Sequence, residues 1–180
     1  MATGKVHQLQ AAYSPVEDRL LLRINTSGKQ EFRFWLTRHF VRRLWPVLRQ
    51  TLESHSQVSA TDINARAAVL EFIHQNATDQ ANFKAPFKEV RETVMPLGPE
   101  PTLAVQASIA PVAGNENLRM VSLHPEHGYG IEVAMDMPLM HAFCKLLLDA
   151  IATTEWDLEL GFSTHFSMQT MTQTGGRLLH

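Results

Sequence analysis

Five arginines and two tryptophans lie close together in residues 31–52, and these are residue types that hold nucleic acid. Guanidinium groups form paired hydrogen bonds with phosphates, and indole rings stack on unpaired bases. The combination predicts a surface for single-stranded nucleic acid or another polyanion. Its members are Arg33, Trp35, Arg38, Arg42, Arg43, Trp45 and Arg49.

The same residues also have a structural interpretation, which we favour. Exposed arginines commonly solvate one face of a helix, and aromatic side chains commonly lie in the core. Residues 1–54 contain nine Lys/Arg and four Asp/Glu, whereas residues 55–180 contain seven and fourteen. The formal charges of +5 and −7 can neutralise each other when the two parts pack, or when two copies pair. We therefore expect protein contacts at this surface, with polyanion binding as the alternative.

Two smaller features resemble chemical sites but lack essential members. The segment from His124 to His127 places two histidines and a glutamate in one turn, but no further metal ligand follows at a suitable spacing. Cys144 lies in an apolar helical segment, which predicts a buried thiol. The sequence has no nucleophile elbow, P-loop or dinucleotide fingerprint. We predict no metal, no cofactor and no catalysis, and an active site assembled from distant residues is the third alternative.

The elements that position the arginines follow from hydrophobic periodicity. Apolar residues alternate over residues 31–36, which predicts a strand, and they then recur at helical spacing over residues 38–53. Thr37 lies between them as a helix N-cap. Pro46 either kinks this helix or splits it in two. Strands are also predicted over residues 6–13 and 19–25, so that the three strands form an antiparallel meander.

The pattern of the first part recurs about 99 residues later. Strands are predicted over residues 103–110, 118–123 and 131–135, and Asp136 caps a helix over 137–153 where the first part has Thr37. The sequence therefore predicts an α+β fold of two tandem β-β-β-α units, related by a pseudo-two-fold axis, with antiparallel sheets covered by helices. The predicted division is residues 1–54 for the first unit, 55–101 for a helical connection and linker, 102–162 for the second unit and 163–180 for a flexible tail.

The regions outside the repeat carry weaker signals. A connecting helix is predicted over residues 63–76, with Thr61 or Asp62 as its cap, and further strands over residues 87–97 and 156–162.

Composition and the predicted sheet edges give the function that we expect. The chain has 180 residues, of which 44% are apolar and 19% charged, and this is typical of one globular body. One cysteine, no secretory signal and no apolar run of about 20 residues indicate a cytoplasmic protein outside the membrane. We expect a binding or adaptor protein that forms a homodimer through strand edges or through the surface of Arg33 and Trp35.

Overall fold

The computed structural model describes residues 2–55, 63–80, 87, 93–158 and 160–161. These residues form seven strands and three helices, so the predicted mixed α+β class is confirmed. The strands are β1 (Ala2–Ser14), β2 (Arg19–Thr26), β3 (Glu31–Leu36), β4 (Thr102–Leu103), β5 (Gln106–Val112), β6 (Asn115–His124) and β7 (Ile131–Asp136). The helices are α1 (Arg38–His55), α2 (Ile63–Gln80) and α3 (Met137–Ile151).

All seven strands belong to one sheet, in the order β4-β3-β2-β1-β7-β6-β5. Strands β1, β2 and β3 form one antiparallel meander, and β5, β6 and β7 form another. The meanders join where β1 runs parallel to β7, with Ala2 opposite Ile131 and Lys5 opposite Ala134. The sheet therefore continues from one β-β-β-α unit into the other.

Both units have the predicted order of three strands followed by a helix. Matching strands occur in the same order along the sheet and run in the same direction. The second unit therefore follows the first along the sheet with its strand order preserved. The internal repeat and its expected pseudo-two-fold relation stay predictions.

The core forms on the inner face of the sheet, where alternate residues of the strands are apolar. These residues make one buried cluster with apolar side chains of all three helices. The strand members of the cluster include Leu20, Leu22, Ile24, Phe32, Phe34, Leu36, Ile131, Val133 and Met135. The outer face consequently carries the intervening residues, among them Arg33 and Trp35.

The sheet rolls so that its two ends approach each other. Strands β4 and β5 lie at opposite ends of the strand order, yet only two residues separate them in the chain. Ala104 N donates to Trp35 O on β3 over 3.0 Å, and Val105 N donates to His124 O on β6 over 2.9 Å. As a result, α1 follows β3 at one end of the sheet but contacts β5 from the other.

Several predicted boundaries differ from the observed ones. The strand predicted at residues 103–110 divides into β4 and β5 because Ala104 and Val105 bond to different strands. Helix α1 continues through Pro46, so the two-helix alternative is wrong. In the described part of residues 87–97, pairing consists of one bridge between Gln30 and Val94. The predicted caps Thr61 and Asp62 and the tail at residues 163–180 lie outside the described residues.

The strand predicted at residues 156–162 is also wrong for its described residues, which are not in a strand. Side chains hold the start of this segment instead. Trp156 Nε1 donates to Asp18 Oδ1 over 2.6 Å, and Tyr13 OH donates to the same oxygen over 2.8 Å. The rings of Tyr13 and Trp156 meet edge to face at 5.9 Å. This contact ties the chain after α3 to the turn between β1 and β2.

Candidate functional site

Arg33 and Trp35, the first two residues of the predicted surface, lie on the outer face of β3. Arg33 Nε donates to Glu31 Oε1 over 2.7 Å, and an Arg33 terminal nitrogen donates to Pro99 O over 3.3 Å. Glu31 is only 3% exposed, so the ion pair is well shielded from water. The polar groups of Arg33 are therefore largely occupied by contacts within the chain.

Polar side chains cross the outer face of the first meander in two rows. The strand register aligns Gln8 with Asn25 and Glu31, and Gln10 with Arg23 and Arg33. Arg23 Nε donates to Glu31 Oε1 over 2.8 Å, and an Arg23 terminal nitrogen donates to Gln10 Oε1 over 3.3 Å. The Phe87 ring lies 4.1 Å from the Arg23 guanidinium carbon.

Glu31 links these rows because it accepts hydrogen bonds from both arginines. Burial alone would raise the pKa of its carboxyl group, but the hydrogen bonds and charges of Arg23 and Arg33 outweigh burial and hold this pKa below its usual value. The group therefore stays ionised between two cations. The two arginines thus link the strands of the first meander to each other and to Phe87 and Pro99 on its outer face.

The remaining predicted residues separate along α1. An Arg38 terminal nitrogen donates to Asp157 O over 3.4 Å, and Arg49 Nε lies 3.2 Å from Glu53 Oε1. Trp45 is buried in the core, because it lies on the apolar stripe of the helix. Arg42 and Arg43 are exposed, and neither forms an ion pair within the described part of the chain. The seven residues thus do not form one continuous surface.

A groove lies between α1 and the β4–β5 segment, and the sequence analysis did not predict it. Its volume is about 350 Å³. His39, Arg43 and Val47 line it from successive turns of α1, while Leu103 and Val105 line it from the opposite side. Val47, Leu103 and Val105 are 42%, 38% and 46% exposed, which is high for large apolar residues. Only the rolled sheet brings these distant segments together.

The two ends of the sheet differ beside this groove. The edge of β3 is covered by β4, and Glu31 N donates to Val94 O over 2.9 Å. Strand β5 pairs with β6, and no other described strand lies on its second side. Pro111 has no N–H group, and proline within sheets is found on such edge strands. At the other end of the sheet the terminal strand β4 has only two residues, so β5 provides the longer open edge among the described strands.

Two histidines form a buried pair where α2 meets α3. His74 Nδ1 lies 3.2 Å from His141 Nδ1, and the side chains are 6% and 5% exposed. Burial is the main cause that lowers the pKa of His74 to about 4, with smaller effects from the charges of His141 and Lys145. The pair could not be predicted from the sequence, because 67 residues separate its members and no local motif joins them.

The two other sequence candidates, Cys144 and the segment from His124 to His127, lie in different parts of the fold. Cys144 is buried as predicted, and burial raises the pKa of its thiol to about 12, which keeps it protonated. The segment from His124 to His127 lies at the turn between β6 and β7. Within the described ranges, no three His, Cys, Asp or Glu side chains come together in a way that would hold a metal ion.

Comparison with protein-family models, with curated proteins and with solved structures finds no match to this chain. Among the described helices, none is both long enough and apolar enough to span a bilayer. Geometry and charge are therefore the basis for an assignment of function.

Proposed function

We propose that this chain is a non-catalytic binding protein that self-associates through the open edge of β5. The observation that carries the proposal is the difference between the two ends of the sheet. Strand β4 and Val94 cover the β3 edge, whereas the β5 edge adjoins a groove with exposed apolar walls. An unpaired strand edge offers backbone donors and acceptors to a further strand, and apolar walls gain free energy when that strand covers them.

The hydrogen-bonding groups of β5 alternate between its two sides. Pro111 shares its side with Ala107 and Ile109, because the ladder pattern repeats every two residues. Proline is tolerated in a strand where the N–H position faces away from the neighbouring strand. The position of Pro111 therefore faces the open side, and the N–H groups of Ala107 and Ile109 face the same side. A partner strand would bond to these two residues.

A second copy of the chain is the partner that this edge fits best. The β5 sequence QASIAPV contains no charge, so two copies can pair without repulsion. An antiparallel pair centred on Ile109 would bring the turn after β5 of one copy beside the start of β5 of the other. Glu116 is exposed near that turn, and Arg43 lines the groove near that start. The charges of the two copies would then be complementary.

Sedimentation equilibrium over a range of protein concentrations tests this proposal. The wild-type chain should form a dimer, and Leu103→Lys with Val105→Lys should shift it to a monomer, because two cations would face an apolar contact beside Arg43. Val16→Lys is the matched control, since Val16 is 94% exposed in the turn between β1 and β2. This control should dimerise like the wild type. A wild-type chain that stays monomeric at its highest soluble concentration would contradict the proposal.

Polyanion binding is a second candidate, supported by the exposed Arg42 and Arg43 on α1. Trp45 is buried, so base stacking on this residue has no support and phosphate contacts would have to dominate. Such binding should weaken steeply as salt increases. Fluorescence anisotropy with a random single-stranded oligonucleotide measures it, and Arg42→Glu should reduce it without affecting the dimer, because Arg42 does not line the groove. The absence of binding at low salt would exclude this candidate.

A further inference from the structure

Helix α2 packs mainly against α3 and less extensively against α1. The two histidines lie in the α2–α3 contact, with His74 from α2 and His141 from α3. Their ring centroids are 5.3 Å apart and the ring planes meet at 52°. Both side chains are buried, so the contact between these two helices includes a titratable pair with little access to water.

The short distance between the two Nδ1 atoms determines how many protons the histidine pair can hold while α2 is packed on α3. Two imidazoles that face each other in this way share one proton, which one Nδ1 donates and the other accepts. A second proton between the same two nitrogens would replace the hydrogen bond by a repulsive contact. A proton added elsewhere on either ring would create a charge in a buried environment.

Among the described residues, the charged groups that act on His74 do not compensate for a charge on its ring. Lys145 and Asp149 face it from α3, and Glu71 lies beside His74 in the cavity lining. Lys145 Nζ is 2.8 Å from a carboxylate oxygen of Asp149, so this carboxylate already binds a cation. Lys145 disfavours a protonated His74, Asp149 favours it, and burial outweighs both.

A polar cavity lies at the contact between α2 and α3. The cavity has a volume of about 310 Å³ and is lined by Glu71, His74 and Thr78 from α2 and by Lys145 and Asp149 from α3. Once the helices separate, water reaches both imidazoles, and each can accept a proton without the cost of burial. Acid therefore favours the separated state.

We propose that the His74–His141 pair is a pH-sensitive clasp that holds α2 on α3 near neutral pH and releases it on acidification. The direction follows from proton linkage. A solvated His74 takes up its proton below its ordinary pKa of 6.5, whereas the docked residue remains neutral down to about 4. The contribution of His74 to docking is complete above pH 6.5 and decreases as the pH falls towards 4, and this single proton changes the docking equilibrium by at most about tenfold per pH unit.

Hydrogen–deuterium exchange of the whole chain between pH 7.5 and 5 measures this release. Rates are corrected for the intrinsic pH dependence of exchange and expressed as protection factors for α2, with β2 and β3 as the internal reference. Protection of α2 should fall by several-fold or more per pH unit below 6.5, while β2 and β3 stay unchanged. In His74→Gln, which is neutral at every pH, the fall should be much smaller. His39→Gln is the control, because His39 is exposed on α1, and it should behave like the wild type.

A nuclear magnetic resonance titration of the wild-type histidine rings gives a second readout that does not depend on a variant folding. The ring of His74 should remain neutral at pH 6 for as long as α2 is protected. The proposal would be overturned if this ring took up its proton near pH 6.5 with α2 still docked. It would equally be overturned if α2 kept the same protection factors from pH 7.5 to 5.

Discussion

Helices α1 and α3 occupy the same position in their β-β-β-α units but differ in burial. Nine of the 15 residues of α3 are buried, and they include His141, Ala142 and Cys144. At the positions 99 residues earlier, α1 has Arg42 and Arg43, which are exposed, and Trp45, which is buried. The shared pattern therefore specifies the helix, while the position of the unit in the rolled sheet decides which face of that helix is exposed to water.

The outer faces of the two meanders differ in a similar way. The first carries the cluster of Arg23, Glu31 and Arg33, covered in part by Phe87 and Pro99. The positions of Arg23 and Arg33 correspond to Ser122 and Glu132 in the second meander. The second outer face therefore has no equivalent cluster, and its cavity of about 460 Å³ lies open beside Lys5 and Glu132.

The largest expected effect on stability comes from replacing His141 of α3 by arginine, the residue type that α1 has at the corresponding position. His141→Arg would place a cation in the buried contact with His74, near Lys145, and should lower the free energy of unfolding by about 3–5 kcal/mol. The reverse change, Arg42→His, replaces an exposed residue and should alter it by less than about 0.5 kcal/mol. Urea denaturation of the two variants measures both values. Equal effects would mean that the two helices do not differ in burial as described.

The outer faces of the two meanders give the next largest difference in stability. Glu31→Gln removes the anion between Arg23 and Arg33 and should cost about 2–3 kcal/mol of unfolding free energy, whereas Glu132→Gln should cost less than about 0.5 kcal/mol. The pKa of Glu31 lies below its ordinary value of 4.5. Its carboxylate therefore stabilises the fold above pH 4.5, and the contribution is lost as the pH falls below that value.

Urea denaturation at several pH values tests this contrast. The stability difference between the wild type and Glu31→Gln should shrink steadily on acidification below pH 4.5. A difference that stayed constant down to pH 3 would show that the Glu31 charge makes no contribution.

The two helix caps should respond alike, because they belong to the shared pattern. Phe40 N donates to Thr37 Oγ1 over 3.1 Å, and Leu139 N donates to Asp136 Oδ1 over 2.9 Å. Thr37→Ala and Asp136→Ala should each lower the free energy of unfolding by about 1 kcal/mol. Thermal denaturation followed by circular dichroism gives both values, and a large effect at one cap with none at the other would argue against equivalent scaffolds.

The smallest effect is expected on the exposed side of α1. Arg49→Ala removes an ion pair with Glu53 that is accessible to solvent and should cost no more than about 0.5 kcal/mol. The loss should decrease further in high salt, since screening weakens such pairs. A salt-independent loss above 1 kcal/mol would mean that the Arg49 side chain acts through packing.

Local patterns were sufficient to predict much of the fold. Alternation along β3, the helical stripe that begins at Phe40, and the caps Thr37 and Asp136 depend on neighbouring residues, so the sequence displays them. The relation between the units depends on the pairing of β1 with β7, which joins segments about 129 residues apart. Sequence periodicity reflects only neighbouring residues, and it therefore did not show that the two units share one continuous sheet.

The candidate site was less predictable for the same reason. The sequence identified Arg43 as a surface residue, but the groove also needs Leu103 and Val105, which only the rolled sheet brings near α1. The partner of Arg33 was missed because Glu31 lies two residues away on the same face of β3, and a strand pattern does not distinguish a shielded carboxylate from an exposed one. The histidine pair joins two helices in the same non-local way.

Hydrogen–deuterium exchange at low and high protein concentration shows which strand edge associates, because it compares the two ends of the sheet in one sample. If β5 is the association edge, the amides of Ala107 and Ile109 should gain protection as the concentration rises, while those of β3 and β4 should not change. Leu103→Lys with Val105→Lys should abolish the gain. Concentration-dependent protection at β3, or a dimer that leaves Ala107 and Ile109 unprotected, would contradict the account.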